Sequence, residues 1–204
     1  MSSRFSLVLF DMEGVLTHYD RTARVVHLSS ATGCDAAAIR HAIWDSGLEA
    51  RADAGEISED EYLRLLGDML RYPMSREQWL ASRRASITPN AQTLALAEKV
   101  RNRCRIAILT NNCGLVTDHL DYLNPPVAAL FKDAVHSSAT FGATKPAARA
   151  YLGCIERIGV QAGETLFIDD TEANVQGAIN AGLAGYRFVD AESLARFLAQ
   201  HGLL

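Results

Sequence analysis

Leu7-Val8-Leu9-Phe10-Asp11-Met12-Glu13-Gly14-Val15-Leu16 decides how the rest of the chain is read. Four apolar residues run without alternation into an aspartate, and a glutamate and a glycine follow closely. An unbroken apolar run of strand length predicts a strand buried on both faces, the condition of a parallel sheet. Acids at the carboxyl end of such a strand sit where open α/β sheets hold their ligands, and Gly14 lets the chain turn there. Asp and Gly are also common turn residues, so the stretch alone reads equally as ordinary turn chemistry. Partners elsewhere in the chain decide between the two.

Two later stretches repeat the pattern. Ile106-Ala107-Ile108-Leu109 runs into Thr110-Asn111-Asn112, and Thr165-Leu166-Phe167-Ile168 runs into Asp169-Asp170. Shorter strands are expected near Ala134-Val135 and over residues 186–189. Helices are expected over 90–103, over 115–123 with a stop at Asn124-Pro125-Pro126, after Lys145-Pro146, over 175–181 and over 191–200. This alternation predicts an α/β fold, a Rossmann-like doubly wound parallel sheet.

Residues 20–87 break that rhythm and carry only helix signals. Asp35 can cap one helix, and Ser58-Glu59-Asp60-Glu61 and Ser75-Arg76-Glu77-Gln78 read as capping boxes. Four short helices are expected, a small bundle inserted after the first strand, with Trp44 and Trp79 as core packing inside it. The core is thus expected over 1–19 and 88–204, and the helical cap over 20–87. The polar stretch 47–56 reads as a linker between two cap helices.

Composition narrows the class. With 49% hydrophobic and 22% charged residues and a formal net charge of -4, the chain resembles a soluble globular protein, and it has no basic tract for nucleic acid. The apolar run at 7–10 is too short for a signal peptide or a membrane span. Cys34, Cys104, Cys113 and Cys154 form no CxxC pair, and reduced thiols are expected. A cytoplasmic protein, monomer or homodimer, follows.

In a parallel sheet the polar strand ends converge on one edge, bringing Asp11, Glu13, Thr110, Asn111, Asp169 and Asp170 together. Four acids in one crevice repel unless a cation neutralises them, and oxygen-only donors favour a hard cation, magnesium foremost. Magnesium in turn suits a phosphorylated substrate. Lys145 opens a helix, where the dipole does not favour it, so phosphate contact or carboxylate pairing is its expected use.

At this point the chain resembles the haloacid dehalogenase superfamily of hydrolases, most of which are magnesium-dependent phosphatases. The resemblance rests on Asp11-Met12-Glu13-Gly14-Val15, Thr110, Lys145-Pro146, and Asp169-Asp170 with Asn174, in that order. Gly55-Glu56-Ile57-Ser58, Lys145-Pro146-Ala147-Ala148-Arg149-Ala150-Tyr151 and Phe167-Ile168-Asp169-Asp170-Thr171-Glu172-Ala173-Asn174 are similar to the bacterial glucose-1-phosphate phosphatase branch.

The resemblance implies a set of roles. Asp11 would be the nucleophile and a magnesium ligand. Glu13 would be general acid and then base, its main-chain carbonyl a further ligand. Thr110, Asn111 and Lys145 would bind the phosphoryl group. Asp170 would ligate magnesium directly, with Asp169 a direct ligand or one layer out, and Asn174 would either orient that loop or lie exposed. Glu13 is the main departure, since phosphatases of this type usually have aspartate there. The extra methylene moves the carboxyl by about 1.5 Å. Enolase-phosphatases share Asp-x-Glu-Gly. Dehalogenase members tend to have tyrosine at this place and no metal.

The expected activity is therefore hydrolysis of a small phosphorylated metabolite, a sugar phosphate for instance, through an aspartyl-phosphate. A phospho-ligand binding or regulatory protein and a 2-haloacid dehalogenase are the alternatives. His18 reads as a surface-loop histidine, Arg51 as a candidate substrate contact in a stretch that could equally be a solvated linker, and Cys113 as a buried spectator.

Overall fold

A computed structural model describes residues 4–204. β1 (Leu7–Phe10) is buried along its whole length, as an apolar run without polar alternation requires. After a turn come β2 (Thr17–Tyr19) and five helices, α1 (Arg21–Thr32), α2 (Ala36–Arg40), α3 (Leu48–Asp53), α4 (Glu59–Leu70) and α5 (Arg76–Ser86). A single π-helical turn (His41–Asp45) joins α2 to the loop before α3. β3 (Ile87–Pro89) then returns antiparallel to β2, with Tyr19 opposite Ile87. The rest runs through α6 (Ala91–Arg101), β4 (Arg105–Thr110), α7 (Gly114–Thr117), α8 (Leu120–Leu123), α9 (Pro125–Phe131) and β5 (Val135–Ser137). It ends with α10 (Ala148–Ile158), β6 (Thr165–Asp169), α11 (Glu172–Asn180), β7 (Ala184–Arg187) and α12 (Ala191–Gln200).

Five parallel strands form one sheet in the order β5-β4-β1-β6-β7. Phe10 is level with Ile108 on one side and Ile168 on the other, so the polar residues that follow all emerge at one edge. The period of two sends alternate side chains to opposite faces. Val8, Phe10, Ile108 and Ile168 pack with Leu96 and Val100 of α6, Val127 and Phe131 of α9, and Leu194 and Leu198 of α12. Leu7, Leu9, Leu109 and Phe167 pack with Tyr151 and Cys154 of α10 and Ala178 of α11. Helices cover both faces, so the sheet is doubly wound as expected.

Several details differ from expectation. The insertion has five helices rather than four, because residues 47–56 contain α3, entered through Gly47. β2 and β3 lie at the margins of a stretch where no strand was expected. The expected helix at 115–123 is broken into α7 and α8. Asn124-Pro125-Pro126 starts a helix instead of only ending one: Pro125 is the first residue of α9 and Asn124 accepts from the Val127 N–H, the place where proline fits a helix best. β7 begins two residues before its expected start at Tyr186. Ser75 and Gln78 form the full reciprocal capping box, and Ser58 accepts from the Glu61 N–H.

Inside the insertion Trp79 is fully buried, edge-on to Tyr62 at 6.1 Å. Trp44 is only half-buried, packed on the core with its other side to a cavity. The insertion docks on the loop after β5: Ser138 Oγ donates to the Asp53 carbonyl at 2.7 Å. Gly55, at φ 73°, lies so close that a Cβ there would be 2.5 Å from the Ala139 carbonyl oxygen. Among the described residues no helix is long and apolar enough to cross a membrane.

Candidate active site

The sheet's carboxyl edge carries the predicted residues. Asp11 follows β1, Thr110 ends β4, Asp169 ends β6, and Lys145 lies in the segment leading to α10. A cavity of about 560 Å³ is lined by Asp11, Glu13, Thr110, Asn111, Lys145 and Asp170, with His18, Tyr19 and Asn174 among the others around it.

Lys145 is the hub. Its ammonium donates to Asp11 Oδ1 at 2.6 Å and to Asp169 Oδ2 at 2.8 Å, and the residue is 4% exposed. Asp169, at 0% exposure, also accepts from the Thr171 N–H at 2.8 Å and from Asn174 Nδ2 at 3.2 and 3.0 Å. Both of its oxygens are thus engaged. Asn174 orients this loop and is not merely exposed, and Tyr151 holds it by donating to its carbonyl at 2.7 Å.

Burial raises the Asp11 carboxyl to about 7; Lys145 opposes this and Asp169 adds to it. Burial disfavours the charged form, and a neighbouring carboxylate does the same. The Lys145 ammonium is raised as well: burial alone would lower it, but the two carboxylates outweigh that and hold it charged. Asp170, closer to solvent, is also raised, by burial and then by Asp169.

Asp11, Asp169 and Asp170 each offer a carboxylate oxygen, all within 4.8 Å of one another. Three oxygens with no nitrogen or sulfur donor suit a hard divalent cation. Gly14, at φ 89°, lies against Asp170, and any Cβ there would run into that carboxylate. The Glu13 carboxylate is not in this cluster; it pairs with the guanidinium of Arg83.

Two expectations need correcting. The Asn111 amide is not directed at phosphate: its Nδ2 donates to the Lys145 carbonyl at 3.0 Å and its Oδ1 accepts from the Lys145 N–H at 2.8 Å. It fixes the segment that carries the ammonium. Arg51 pairs with Glu56 at 3.7 Å on the exterior and lines neither cavity at the site. Thr110 is buried, and its Oγ1 accepts from Asn112 Nδ2 at 2.7 Å, which leaves the hydroxyl proton to donate elsewhere. His18 is exposed at the rim. The Cys113 thiol is buried, and that burial pushes it up to about 12, leaving it inert.

Sequence reasoning missed Arg83, Asn112, Glu49 and Asp53. The last three line a second cavity of about 240 Å³, together with Glu13, Tyr19, Arg21, Trp44 and Asn111. Arg83 carried no signal, since Arg83-Arg84 reads as a plain basic helix end.

Proteins of known family resemble this chain in sequence and fold. Phosphatase MT3486 of Mycobacterium tuberculosis (strain CDC 1551 / Oshkosh) is 34% identical over 190 residues, covering 89% of this chain and 86% of that protein. A HAD-like family hydrolase structure from Porphyromonas gingivalis superposes with a TM-score of 0.79 at 24% identity, covering 96% and 98% of the two chains. A HAD family enzyme from Bacteroides thetaiotaomicron, solved in complex with magnesium and inorganic phosphate, gives 0.79 at 22% identity, covering 93% and 98%. A family model described as haloacid dehalogenase-like hydrolase matches residues 5–182; the chain belongs to that family.

Proposed function

We propose that this hydrolase is a cytoplasmic, magnesium-dependent phosphomonoesterase acting on a small phosphorylated metabolite, a sugar phosphate as the first choice, through an aspartyl-phosphate. One observation carries the reading: a single buried ammonium, Lys145, is shared by Asp11 and Asp169 beside a third carboxylate, Asp170. That excess of negative charge calls for a cation, and a cation so placed can face a phosphate. The phosphatase relative and the magnesium and phosphate complex of the structural relative support it.

Asp11, Asp170 and the main-chain carbonyl of Glu13 would hold magnesium, with Asp169 one layer out because Lys145, Thr171 and Asn174 already occupy its oxygens. Bound there, magnesium supplies charge stabilisation to the phosphoryl oxygens. An Asp11 oxygen attacks phosphorus, and the bond to the leaving oxygen breaks as Glu13 delivers its proton to that oxygen. Glu13 then takes a proton from water, which attacks the aspartyl-phosphate and releases inorganic phosphate and free Asp11. Lys145 and the Thr110 hydroxyl donate to the transferring group. The helical insertion acts as a cap that keeps bulk water away.

Hydrolysis of p-nitrophenyl phosphate and of a panel of phosphorylated metabolites tests this. Magnesium-dependent turnover is expected, falling by about 10³-fold or more in Asp11→Asn. Wild type no more active than Asp11→Asn would favour a phospho-ligand binding protein. Metal-independent release of halide from 2-haloacids would favour a dehalogenase.

A further inference from the structure

Glu13 stands at the junction of the two cavities, lining both. Its carboxylate is paired with Arg83 of α5, a residue of the helical insertion 70 positions away in sequence. The same guanidinium nitrogen, Nη2, donates to Asn112 Oδ1 at 2.9 Å. Asn112 Nδ2 then donates to Thr110 Oγ1 at 2.7 Å. A continuous chain, Glu13–Arg83–Asn112–Thr110, therefore joins the carboxylate two residues after Asp11 to a hydroxyl lining the larger of the two cavities. The guanidinium lies over the Tyr19 ring at 4.6 Å, and its side chain is 1% exposed. Its Nε is buried without a partner. Both bonds of Nη2 are thus made at the site.

We infer that Arg83 is a positioning residue for the proton-transfer step: it fixes the Glu13 carboxylate between phosphoryl group and leaving group. Glutamate has one more rotatable bond than the aspartate usual at this place, and a buried ion pair removes that freedom. Proton transfer is thereby tied to the docking of the insertion, because α5 supplies the group that holds Glu13. This inference rests on Glu13 acting as acid and base in phosphate-ester hydrolysis, as proposed above.

The test uses the full-length protein, with Arg83→Met, Arg83→Lys, Glu13→Gln and the Arg83→Met/Glu13→Gln double variant. Each is assayed by kcat/KM, which reports the steps up to alcohol release, on p-nitrophenyl phosphate and on an alkyl phosphate. An alkoxide leaves poorly without a proton and nitrophenolate leaves well, so the acid matters far more for the alkyl ester. Arg83→Met is expected to lose about 100-fold on the alkyl ester and to stay within about 3-fold on the aryl ester. Arg83→Lys should recover most of that loss, and Arg83→Met should cost nothing further in the Glu13→Gln background. Equal losses on both esters, or a full additional loss in the double variant, would overturn the inference.

A crystal structure of Arg83→Met supplies a readout independent of turnover. The Glu13 carboxylate should leave its wild-type place, and an unmoved Glu13 also overturns the inference. Should no form of the protein hydrolyse any phosphate ester, the proposed function fails, while the crystallographic comparison still decides what Arg83 does to Glu13. If Arg83→Met does not fold, Arg83→Lys and Asn112→Ala carry the same two comparisons.

Discussion

Two of the buried cations, Lys145 and Arg24, are used in opposite ways. At the sheet edge, Lys145 alone serves Asp11 and Asp169, with Asp170 within reach of both carboxylates. In the helical insertion, Arg24 serves a single carboxylate: its Nη1 reaches Glu49 at 2.8 and 3.0 Å and Tyr19 Oη at 3.0 Å. Tyr62 donates to Glu49 at 2.8 Å, and Trp79 Nε1 donates to Tyr62 at 3.2 Å. Burial acts on both acids alike and the outcomes differ. It carries Asp11 up to about 7, because one ammonium is divided between two carboxylates. Glu49, equally buried, ends below its ordinary value, because Arg24, Arg83 and the Tyr62 hydroxyl together outweigh the burial. The network around Glu49 holds enough positive charge to keep that acid ionised. The one at the sheet edge is short of positive charge, and that deficit is what makes it a site.

The contrast can be broken first at Lys145. Lys145→Met removes the cation that Asp11 and Asp169 share, and hydrolysis of p-nitrophenyl phosphate at saturating magnesium should drop by about 10³-fold. Arg24→Met, by contrast, is a stability lesion. It strands Glu49 in the interior and should cost about 3 kcal/mol in a denaturant titration. Replacing both partners, Arg24→Met with Glu49→Met, should return most of that stability, which no double change can do for the site's activity.

A smaller effect separates the networks by ion binding. Magnesium at about 100 times its Kd should stabilise wild type by about 2.7 kcal/mol. Asp170→Asn should lose that increment and Arg24→Met should keep it; an equal increment in all three proteins would remove Asp170 from the metal site.

The smallest effect belongs to Asp53, which faces Glu49, Glu13, Arg83 and the Cys113 N–H and thiol. Burial, then Glu49, raises its carboxyl well above the ordinary range, with Arg83 opposing and Glu13 adding. An acid raised on folding favours the protonated form, so its contribution is intact below the unfolded value and is lost as pH rises through the folded one. Asp53→Asn escapes that loss, and its Tm should exceed wild type by roughly 3 °C at pH 8 and hardly at all at pH 4.

What could be read from sequence follows the range of the forces involved. β1, β4 and β6 were legible because strands buried on both faces need unbroken apolar runs, and their polar ends announced Asp11, Thr110 and Asp169. Ser75 with Gln78 was legible because capping chemistry is local. β2 and β3 were not, because three residues make a strand only by pairing with three others far along the chain. Arg83 and Arg84 are adjacent and chemically identical, yet one is buried against Glu13 and the other bonds the Tyr122 carbonyl at the exterior. Only the direction each takes from the helix separates them. Asn111 illustrates the converse: its position was foreseen and its work was not, because an amide can hold a main chain as readily as a ligand.

The ribbon of β2 and β3 has a consequence for how such a chain is assembled. Thr17 lies opposite Pro89, and the Asp20 N–H bonds the Ser86 carbonyl at 2.8 Å, so the chain departs for the helices and comes back at neighbouring points. To the sheet, the whole helical excursion is topologically no more than a hairpin turn. β1 and the later strands can then find their register without closing a long open loop, since the ribbon has already drawn the ends together. The same stem could bear helices of other lengths and leave the sheet unaltered. What would not survive such an exchange is Arg83 and its hold on Glu13, which makes the helices replaceable as a scaffold and not as a clamp.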